Sequence, residues 1–281
     1  MAVFYNQATL QVGDVTVTSN VVSGEVVCEL SMTKTAVNGT YQPGTVITYA
    51  VSLVNTGAAA YAGLTLTDDL GAYTLESGVT AVPLTYEAGS VLYFQNGTLQ
   101  AAPQVVSESP LILGGITVPA GGTAMLLYQA AVNEYASPTG EIVNTVSTAG
   151  ARLTEAVTAS ETVRAAAAPI LSVLKSISPA AVPENGTVTY TFELHNSGSL
   201  AVEDGAVLSD LFDPILNDLA VTYNGTAWTQ GTEYTYAPET GLFTTAAGQI
   251  TIPAASAAQD PDTGVWTLVP GTATLVVTGT I

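Results

Sequence analysis

The sequence predicts an all-β protein, with two tandem β-sandwich domains and a separate N-terminal hairpin. Three observations favour this fold class. Only 10% of the residues are charged, while hydrophobic residues make up 47% and glycines and tyrosines recur throughout, which is typical of sheets joined by many turns. No long segment shows helical periodicity. One set of motifs occurs twice, which indicates two copies of one domain.

The first two dozen residues are predicted to form a β-hairpin. Apolar residues alternate with polar ones on both sides of a Gly13-Asp14 turn. These apolar residues are Ala8, Leu10, Val12, Val15 and Val17. An isolated hairpin is marginal in water because it cannot bury its own apolar face. The segment is therefore expected to act as a donor that packs against another domain.

The internal repeat is defined by motif positions that recur 141 residues later. The pairs are Lys34 with Lys175, Tyr49 with Tyr190, and Asn55 with Asn196. Asp68 matches Asp210 with one extra residue in the second copy. Asn-Gly turn signals separate short alternating strands in both copies, as expected for β-sandwiches of the immunoglobulin-like class.

The two copies differ in their last part. The match ends at Ile281, whereas the first copy continues through strand-like segments at 142–148 and 156–163. Segments 6–9 and 15–22 at the front of the chain resemble residues 144–147 and 156–163. Val22 precedes Lys34 by 12 residues, as Val163 precedes Lys175. The hairpin is therefore predicted to be the terminal piece that the second copy lacks.

These observations predict a domain organisation with four parts. The parts are a donor hairpin at 1–24, a complete sandwich domain at 25–163, a linker at 164–170, and a second sandwich domain at 171–281 without its terminal strand. The linker is predicted because the alanine run after Arg164 is too short for a stable helix and ends in a proline.

Charge and motif content exclude several functions. The net charge of −19 comes from 23 acidic and only 4 basic residues, which disfavours nucleic acid and anionic membrane surfaces as partners. The single histidine, His195, has no predicted catalytic or metal-binding partners. No cofactor and no metal site are predicted, and Asp260-Pro261-Asp262 is interpreted as a turn. The chain is not expected to be an enzyme acting on an external substrate.

Targeting features and cysteine content limit the expected location of the protein and its disulfide chemistry. Neither a signal peptide, a membrane span nor a C-terminal anchor is expected. The one cysteine, Cys28, excludes a disulfide within the chain. A small buried hydrophobe and an intermolecular disulfide both remain open for this residue.

The motifs resemble a known family of surface domains. The segments 31–35, 43–49, 54–57, 67–68, 117–121 and 143–145 look like the conserved-repeat domain known as domain of unknown function 11. The resemblance covers roughly residues 30–281. It implies a structural protein on a bacterial cell surface, similar to spore-appendage components of clostridia. It also implies an extracellular location on the cell or spore surface. The lack of a predicted signal peptide is compatible with release by lysis of the mother cell.

The two lysines of the chain indicate a possible crosslinking chemistry. Lys34 and Lys175 occupy the same position of the two repeats. In the first copy, Lys34, Asn144 and Asp68 are the three parts of an autocatalytic isopeptide bond, because a buried lysine is a nucleophile and a nearby acid can protonate the leaving amide. This chemistry resembles that of Gram-positive pilin domains. An alternative is that each lysine pairs with a carboxylate at a sandwich edge while the asparagines satisfy backbone groups.

In the second copy the asparagine is missing. Lys175 and Asp210 are present, and Asn6 of a neighbouring subunit is the candidate that would complete an intersubunit bond.

The leading functional hypothesis is therefore a homopolymeric filament subunit that inserts its hairpin into the second domain of the next copy. Two alternatives remain. One is a chain that inserts its hairpin into its own second domain. The other is an adhesin that binds carbohydrate through Trp228, Tyr223, Tyr234 and Tyr236, although these aromatic residues are more readily explained as cross-strand pairs. The sequence does not identify an anchoring partner.

Overall fold

The computed structural model describes residues 2–26, 29–150 and 152–281. The regular elements in these ranges are all β-strands, and no helix occurs among them, so the all-β prediction is confirmed. The chain divides into two compact units. The first comprises Met1–Tyr73, Val82–Asn133 and Ile142–Val163, and the second comprises Thr74–Ala81, Glu134–Glu141 and Arg164–Ile281. Cys28 lies outside the described residues.

The N-terminal segment forms the expected hairpin. Its strands are β1 (Ala2–Asn6), β2 (Thr9–Val12), β3 (Val15–Thr18) and β4 (Val22–Val26). β1 pairs with β4, and β2 pairs with β3 around the two-residue Gly13-Asp14 turn. Gly13 has a φ of 59°, a conformation that favours glycine. The side chains of β2 and β3 are all exposed.

The strands of the first repeat follow in chain order. They are β5 (Leu30–Ala36), β6 (Thr40–Tyr41), β7 (Val46–Asn55), β8 (Tyr61–Asp68), β9 (Tyr73–Thr74), β10 (Thr80–Ala81), β11 (Leu84–Tyr86), β12 (Leu92–Gln95), β13 (Thr98–Gln100), β14 (Gln104–Glu108), β15 (Leu111–Val118), β16 (Thr123–Val132), β17 (Glu141–Ala149) and β18 (Val157–Ala165).

Two antiparallel sheets form the sandwich of the first unit. One has the order β13-β12-β16-β7-β5, with β11 added on β16, and the other has the order β14-β15-β8-β17-β18-β6. Alternate side chains along β5, β7, β16 and β17 are buried, because one face of each strand packs in the core. β18 continues through Arg164 and Ala165, so the stretch without strand structure between the repeats is 166–170.

The second repeat has fewer strands. They are β19 (Leu171–Ser178), β20 (Thr187–Asn196), β21 (Ser209–Leu211), β22 (Asn217–Tyr223), β23 (Thr226–Trp228), β24 (Tyr234–Ala237), β25 (Leu242–Thr245), β26 (Ser256–Gln259), β27 (Trp266–Val269) and β28 (Gly271–Thr280). A five-stranded sheet of order β19-β20-β28-β22-β23 and a three-stranded sheet of order β21-β25-β24 contribute to one apolar core.

The two repeats differ beside the strand that carries the matched aspartate. In the first repeat, β8 pairs with β15 on one side and with β17 on the other. In the second, β21 pairs with β25 on one side. Among the described residues no strand pairs with its other side. The second sandwich therefore has an open sheet edge where the first is closed by β17 and β18.

Candidate functional site

A lysine and an aspartate form an ion pair inside the first sandwich. The alternation of β5 turns Leu30, Met32 and Lys34 towards the core. Lys34 Nζ lies 2.5 Å from Asp68 Oδ2 on β8, and both side chains are 0% exposed. Since β5 and β8 belong to different sheets, this contact spans the interior of the sandwich.

Two tyrosines complete the surroundings of this pair. The Tyr128 hydroxyl donates a hydrogen bond to Asp68 Oδ2, and the backbone N–H of Leu70 donates to Asp68 Oδ1 at 3.0 Å. The rings of Tyr49 and Tyr128 stack with centroids 5.6 Å apart. Lys34 Nζ lies 4.8 Å from the centroid of the Tyr49 ring, which is within the range of a cation–π contact.

The electrostatics of the site lower the pKa of Lys34. Burial lowers the pKa of Lys34, and this effect exceeds the opposing attraction and hydrogen bond of Asp68. Burial also raises the pKa of Tyr49 and of Tyr128, and at Tyr128 the charge of Asp68 adds to the rise. The two phenols therefore stay protonated while the lysine loses its proton more readily than in water.

Asn144 is a buried amide for whose side chain the described residues offer no partner at hydrogen-bonding geometry. It lies on β17 between the inward-facing Ile142 and Val146, and Val146 is directly opposite Asp68 in the sheet. The Asn144 amide is close enough to Tyr49 and Tyr128 to oppose the rise in their pKa. Even so, within the described part of the chain neither its nitrogen nor its oxygen has a partner at hydrogen-bonding geometry.

A second buried asparagine shows how unusual this environment is. Asn55 donates hydrogen bonds to the carbonyl oxygens of Ala59 and Pro119 at 3.0 and 2.8 Å. Its own side-chain oxygen accepts the Gly57 N–H at 2.9 Å. Buried polar side chains normally have such partners, because an unsatisfied amide is costly. Asn144 is the exception in this comparison.

The structure thus brings the predicted residues Lys34, Asp68 and Asn144 into one buried cluster with two tyrosines. The tyrosines were not among the predicted site residues. Tyr49 could have been found from the repeat, because Tyr190 occupies the matching position. Tyr128 gave no such signal, because the matching position is Val277, which lies opposite Tyr190 as Tyr128 lies opposite Tyr49.

The corresponding pair in the second unit is open to solvent. Lys175 forms an ion pair with Asp210, but the two side chains are 41% and 18% exposed. Lys175 Nζ lies 4.7 Å from the centroid of the Tyr190 ring and 5.4 Å from those of Phe192 and Phe212. Every residue of β19, which carries Lys175, is exposed.

An apolar groove lies beside this exposed pair. It has a volume of about 360 Å³, and its lining includes Leu171, Val173, Leu194, Leu208 and Ile250. Leu171, Val173 and Leu194 belong to the five-stranded sheet, and Leu208 immediately precedes β21. Open sheet edges and apolar grooves of this kind accept an added strand.

The β2–β3 hairpin has one apolar face, and Asn6 precedes it in the chain. Leu10 is opposite Val17 and Val12 is opposite Val15, so these four side chains share a face. The alternation of the sequence continues towards the N-terminus through Ala8, Asn6 and Phe4, and the Phe4 ring lies over Gly24. Asn6 and the four aliphatic side chains are exposed. Asn6 therefore lies between Phe4 and Ala8 as Asn144 lies between Ile142 and Val146.

The remaining predicted features have structural roles. The Tyr223 and Trp228 rings stack with centroids 4.9 Å apart on the paired strands β22 and β23. Tyr234 is buried against Phe243, and the Tyr236 hydroxyl donates to the Leu216 carbonyl. These aromatic residues pack within the unit, as expected for structural contacts.

The polar residues weighed as possible metal ligands, His195 and Asp260, lie in the second unit. His195 is paired with Ser172 across β19 and β20, and its Nε2 lies 3.8 Å from Glu193 Oε2. Asp260 Oδ1 accepts the N–H groups of Asp262 and Thr263 in a turn between β26 and β27. The described residues contain no group of three or more His, Cys, Asp or Glu side chains that could hold a metal ion. They contain no helix that could span a membrane.

No family model and no curated protein matches this chain. Among solved structures, it is similar to a family 123 glycoside hydrolase from Clostridium perfringens, at 11% identity and a TM-score of 0.33, over 50% of this chain and 27% of that one. It is similar to the C-terminal domain of the antigen I/II-family protein AspA of Streptococcus pyogenes, at 13% identity and a TM-score of 0.32, over 90% and 91% of the two chains.

A third similar structure is the pilus backbone protein RrgB of Streptococcus pneumoniae, at 11% identity and a TM-score of 0.37, over 86% of this chain and 55% of that one. This chain therefore spans about a quarter of the length of the hydrolase and about half that of the pilus protein. At these TM-scores the similarities do not assign a family or a function.

Proposed function

We propose that this chain is the structural subunit of an extracellular filament, in which the N-terminal hairpin of one copy completes the second sandwich of the next. The single observation that carries the proposal is the open edge of β21 beside an apolar groove, at the place where β17 closes β8 in the first repeat. The hairpin has the sequence pattern of β17 and β18, and it exposes an apolar face.

The energetics favour docking of the hairpin. Burying the apolar side chains of Leu10, Val12, Val15 and Val17 contributes roughly 6–12 kcal/mol, at about 1.5–3 kcal/mol each, and Ala8 adds a smaller amount. Backbone hydrogen bonds to the edge of β21 define the register of the added strand. The loss of rotational freedom and of side-chain freedom reduces the net gain. Docking also removes from water the apolar surface that the hairpin exposes.

The geometry of this contact favours an open polymer. The donor is at the start of the chain and the acceptor is the second repeat, so the two surfaces differ. Such heterologous contacts grow into filaments unless the rotation between copies closes a ring. Insertion of the hairpin into the second repeat of its own chain is the competing arrangement, and it would give monomers.

Isopeptide bonds would lock the polymer. Within the first unit, the neutral amine of Lys34 attacks the side-chain carbonyl carbon of Asn144, the new C–N bond forms, and the amide nitrogen leaves as ammonia. Asp68 accepts the proton of the amine and delivers it to the leaving nitrogen, so it ends unchanged. Lys175, Asp210 and Asn6 of the neighbouring copy would form the same bond between subunits.

The proposed location is the bacterial cell or spore surface, which is what the resemblance to conserved-repeat surface domains implies. The adhesin alternative has less support, because Tyr223, Trp228 and Tyr234 are used in packing within the second unit. Carbohydrate binding by a monomeric protein would favour that alternative.

A pair of matched double variants tests assembly. Leu10→Asp with Val17→Asp places two charges on the apolar face of the hairpin, and we expect no fibres by electron microscopy and only monomers by light scattering. Thr9 and Thr18 are also directly paired, and each is next to Leu10 or Val17 in the chain. Because neighbouring residues of a strand point to opposite faces, Thr9→Asp with Thr18→Asp adds the same two charges to the opposite face. We expect this control to form fibres. Monomers from the unaltered chain would overturn the proposal.

A further inference from the structure

We propose that docking of the hairpin activates Lys175, so that the intersubunit bond forms only after two copies have assembled. This inference rests on the proposed function and adds a regulatory property to its crosslinking site. An unassembled subunit would then carry all the reacting groups without reacting.

The contrast between the two lysine–aspartate pairs is the first argument. Lys34 and Asp68 are 0% exposed, whereas Lys175 and Asp210 are 41% and 18% exposed. Both lysines lie over an equivalent tyrosine ring, at 4.8 Å for Lys34 and Tyr49 and 4.7 Å for Lys175 and Tyr190. The two sites share the lysine, the aspartate and one tyrosine, and they differ in their access to water.

The second argument is what covers the buried pair. β17 lies along β8 with Val146 opposite Asp68, and Asn144 enters the core two residues earlier. The corresponding side of β21 has no paired strand in the described part of the chain. A hairpin docked there would place its own strand beside Asp210, with Asn6 at the position of Asn144.

Water exclusion then changes the chemistry of the lysine. An ammonium in water has no lone pair for attack on an amide. Burial disfavours the charged form of a lysine, and Asp210 is next to Lys175 to take the proton. The amine attacks the side-chain carbonyl carbon of Asn6 and the C–N bond forms. Asp210 relays two protons in turn from the lysine nitrogen to the departing amide nitrogen, which leaves as ammonium, so Asp210 ends unchanged. The aromatic rings around Lys175 hold its Nζ beside Asp210 before the partner arrives.

Trypsin can report on each lysine separately. The chain has only four basic residues, so complete digestion of the unfolded chain at free side chains gives fragments 1–34, 35–152, 153–164, 165–175 and 176–281. An isopeptide bond at Lys175 abolishes cleavage there and links fragment 165–281 to the N-terminal fragment of another copy. A bond at Lys34 is detected independently as an uncut fragment 1–152.

The docking-deficient full-length variant, Leu10→Asp with Val17→Asp, retains Asn6, Lys175 and Asp210. We expect it to be cleaved after Lys175 even after long incubation at high concentration. The Thr9→Asp with Thr18→Asp control should form fibres that resist boiling in denaturant and are not cleaved there. Linkage of Lys175 to Asn6 in the docking-deficient variant would overturn the inference.

A chemically inactive but docking-competent variant tests the role of water exclusion. Asn6→Ala should form fibres that boiling separates into single chains. In these fibres we expect Lys175 to react with a water-soluble amine reagent about tenfold more slowly than in the docking-deficient variant, because the docked strand covers it. Equal labelling in fibres and monomers would overturn the inference.

The two proposals fail in different ways. If the unaltered chain forms no fibres, the proposed function is wrong. If it forms fibres in which Lys175 stays cleavable by trypsin, the filament stands and the activation of Lys175 by docking is wrong. A monomer in which Lys175 is joined to its own Asn6 would show docking within one chain and overturn both.

Discussion

At the scale of single residues, the first unit holds two buried asparagines with opposite surroundings. The Asn55 amide donates to two carbonyl oxygens and accepts one N–H, and Asn196 repeats this arrangement in the second unit. Among the residues that the structure describes, none forms such a bond with the Asn144 side chain. A buried unsatisfied amide group costs about 1–3 kcal/mol. Loss of its nitrogen as ammonia would remove one of the two unpaired groups.

The bond in the first unit can be tested in Asn6→Ala, which lacks the proposed bond between subunits and separates into single chains on boiling. We expect its intact mass to be lower than its sequence mass by one ammonia, and trypsin to leave fragment 1–152 uncut. Asn6→Ala combined with Asn144→Ala should have its own sequence mass and release fragment 1–34. By the chain-entropy argument used for disulfides, it should lose about 4–5 kcal/mol in free energy of unfolding, as measured by urea denaturation.

Lys175→Ala is the matched control for this experiment, because it removes the other lysine and leaves the first unit intact. It should keep the uncut 1–152 fragment. Cleavage after Lys34 in the unaltered protein would show that Lys34 and Asp68 form only a buried ion pair.

The lowered pKa of Lys34 predicts a pH effect in the uncrosslinked variant. In Asn144→Ala, Lys34 is free, and its pKa in the folded state lies below the value of about 10.4 in the unfolded chain. Between these two values the unfolded state binds more protons, so the free energy of unfolding rises with pH. We expect denaturation midpoints of Asn144→Ala to rise as the pH approaches about 10 from below, relative to those of the unaltered protein.

The comparison with the crosslinked chain isolates this effect, because an amide nitrogen at Lys34 no longer titrates. Tyr49 and Tyr128 have raised pKa values in the folded state, so they oppose stability only above the pKa of about 10 for unfolded tyrosine. Parallel pH profiles for the two proteins below that pH would contradict the prediction.

At the scale of elements, the sequence predicted the presence of the strands better than the contacts that their side chains make. Alternation places Lys34, Asp68 and Asn144 on inward faces, and the repeat shows that Lys175 and Asp210 occupy the matching positions. Periodicity alone does not show that Asn144 lacks hydrogen bonds, since that depends on neighbours from both sheets.

Boundaries were also harder to predict than elements. The alanine run after Arg164 predicted a linker from residue 164. The structure extends β18 through Ala165, whose N–H donates to the Gly140 carbonyl. A backbone hydrogen bond of this kind depends on the neighbouring strand, and alanine is compatible with both conformations.

The turn of the hairpin offers a test at this scale. Gly13→Val introduces a β-branched residue at a φ of 59°, which costs about 1–2 kcal/mol or more. We expect a longer lag before fibres appear in light scattering, because fewer hairpins are preformed. Asp14→Ala, at the other turn position, should have a smaller effect, and an equal delay in both variants would contradict the argument.

At the scale of the whole molecule, the charge opposes the association of identical copies. Each chain carries a net charge of −19, while the proposed docking surface is largely apolar. Salt screens charge repulsion, with a Debye length of about 30 Å at 0.01 M and 8 Å at 0.15 M. The hydrophobic contribution to docking does not depend on that screening.

Assembly is therefore expected to be faster at 0.15 M than at 0.01 M ionic strength, because the shorter Debye length weakens the repulsion between copies. The initial slope of light scattering measures this rate, and sucrose at equal osmolarity controls for effects on hydration. A slower assembly in salt would show that attraction between charges guides the copies together, against the expectation from the net charge.

The position of Lys34 and Asn144 in the strand order also has a mechanical consequence. Asn144 follows Lys34 by 110 residues, and this length of extended chain would measure roughly 360–400 Å. Once an amide joins the two side chains, a pulling force that enters along β5 leaves through β17 without passing through the strands between them. The first unit would then stay short under tension, even if its sheets were melted.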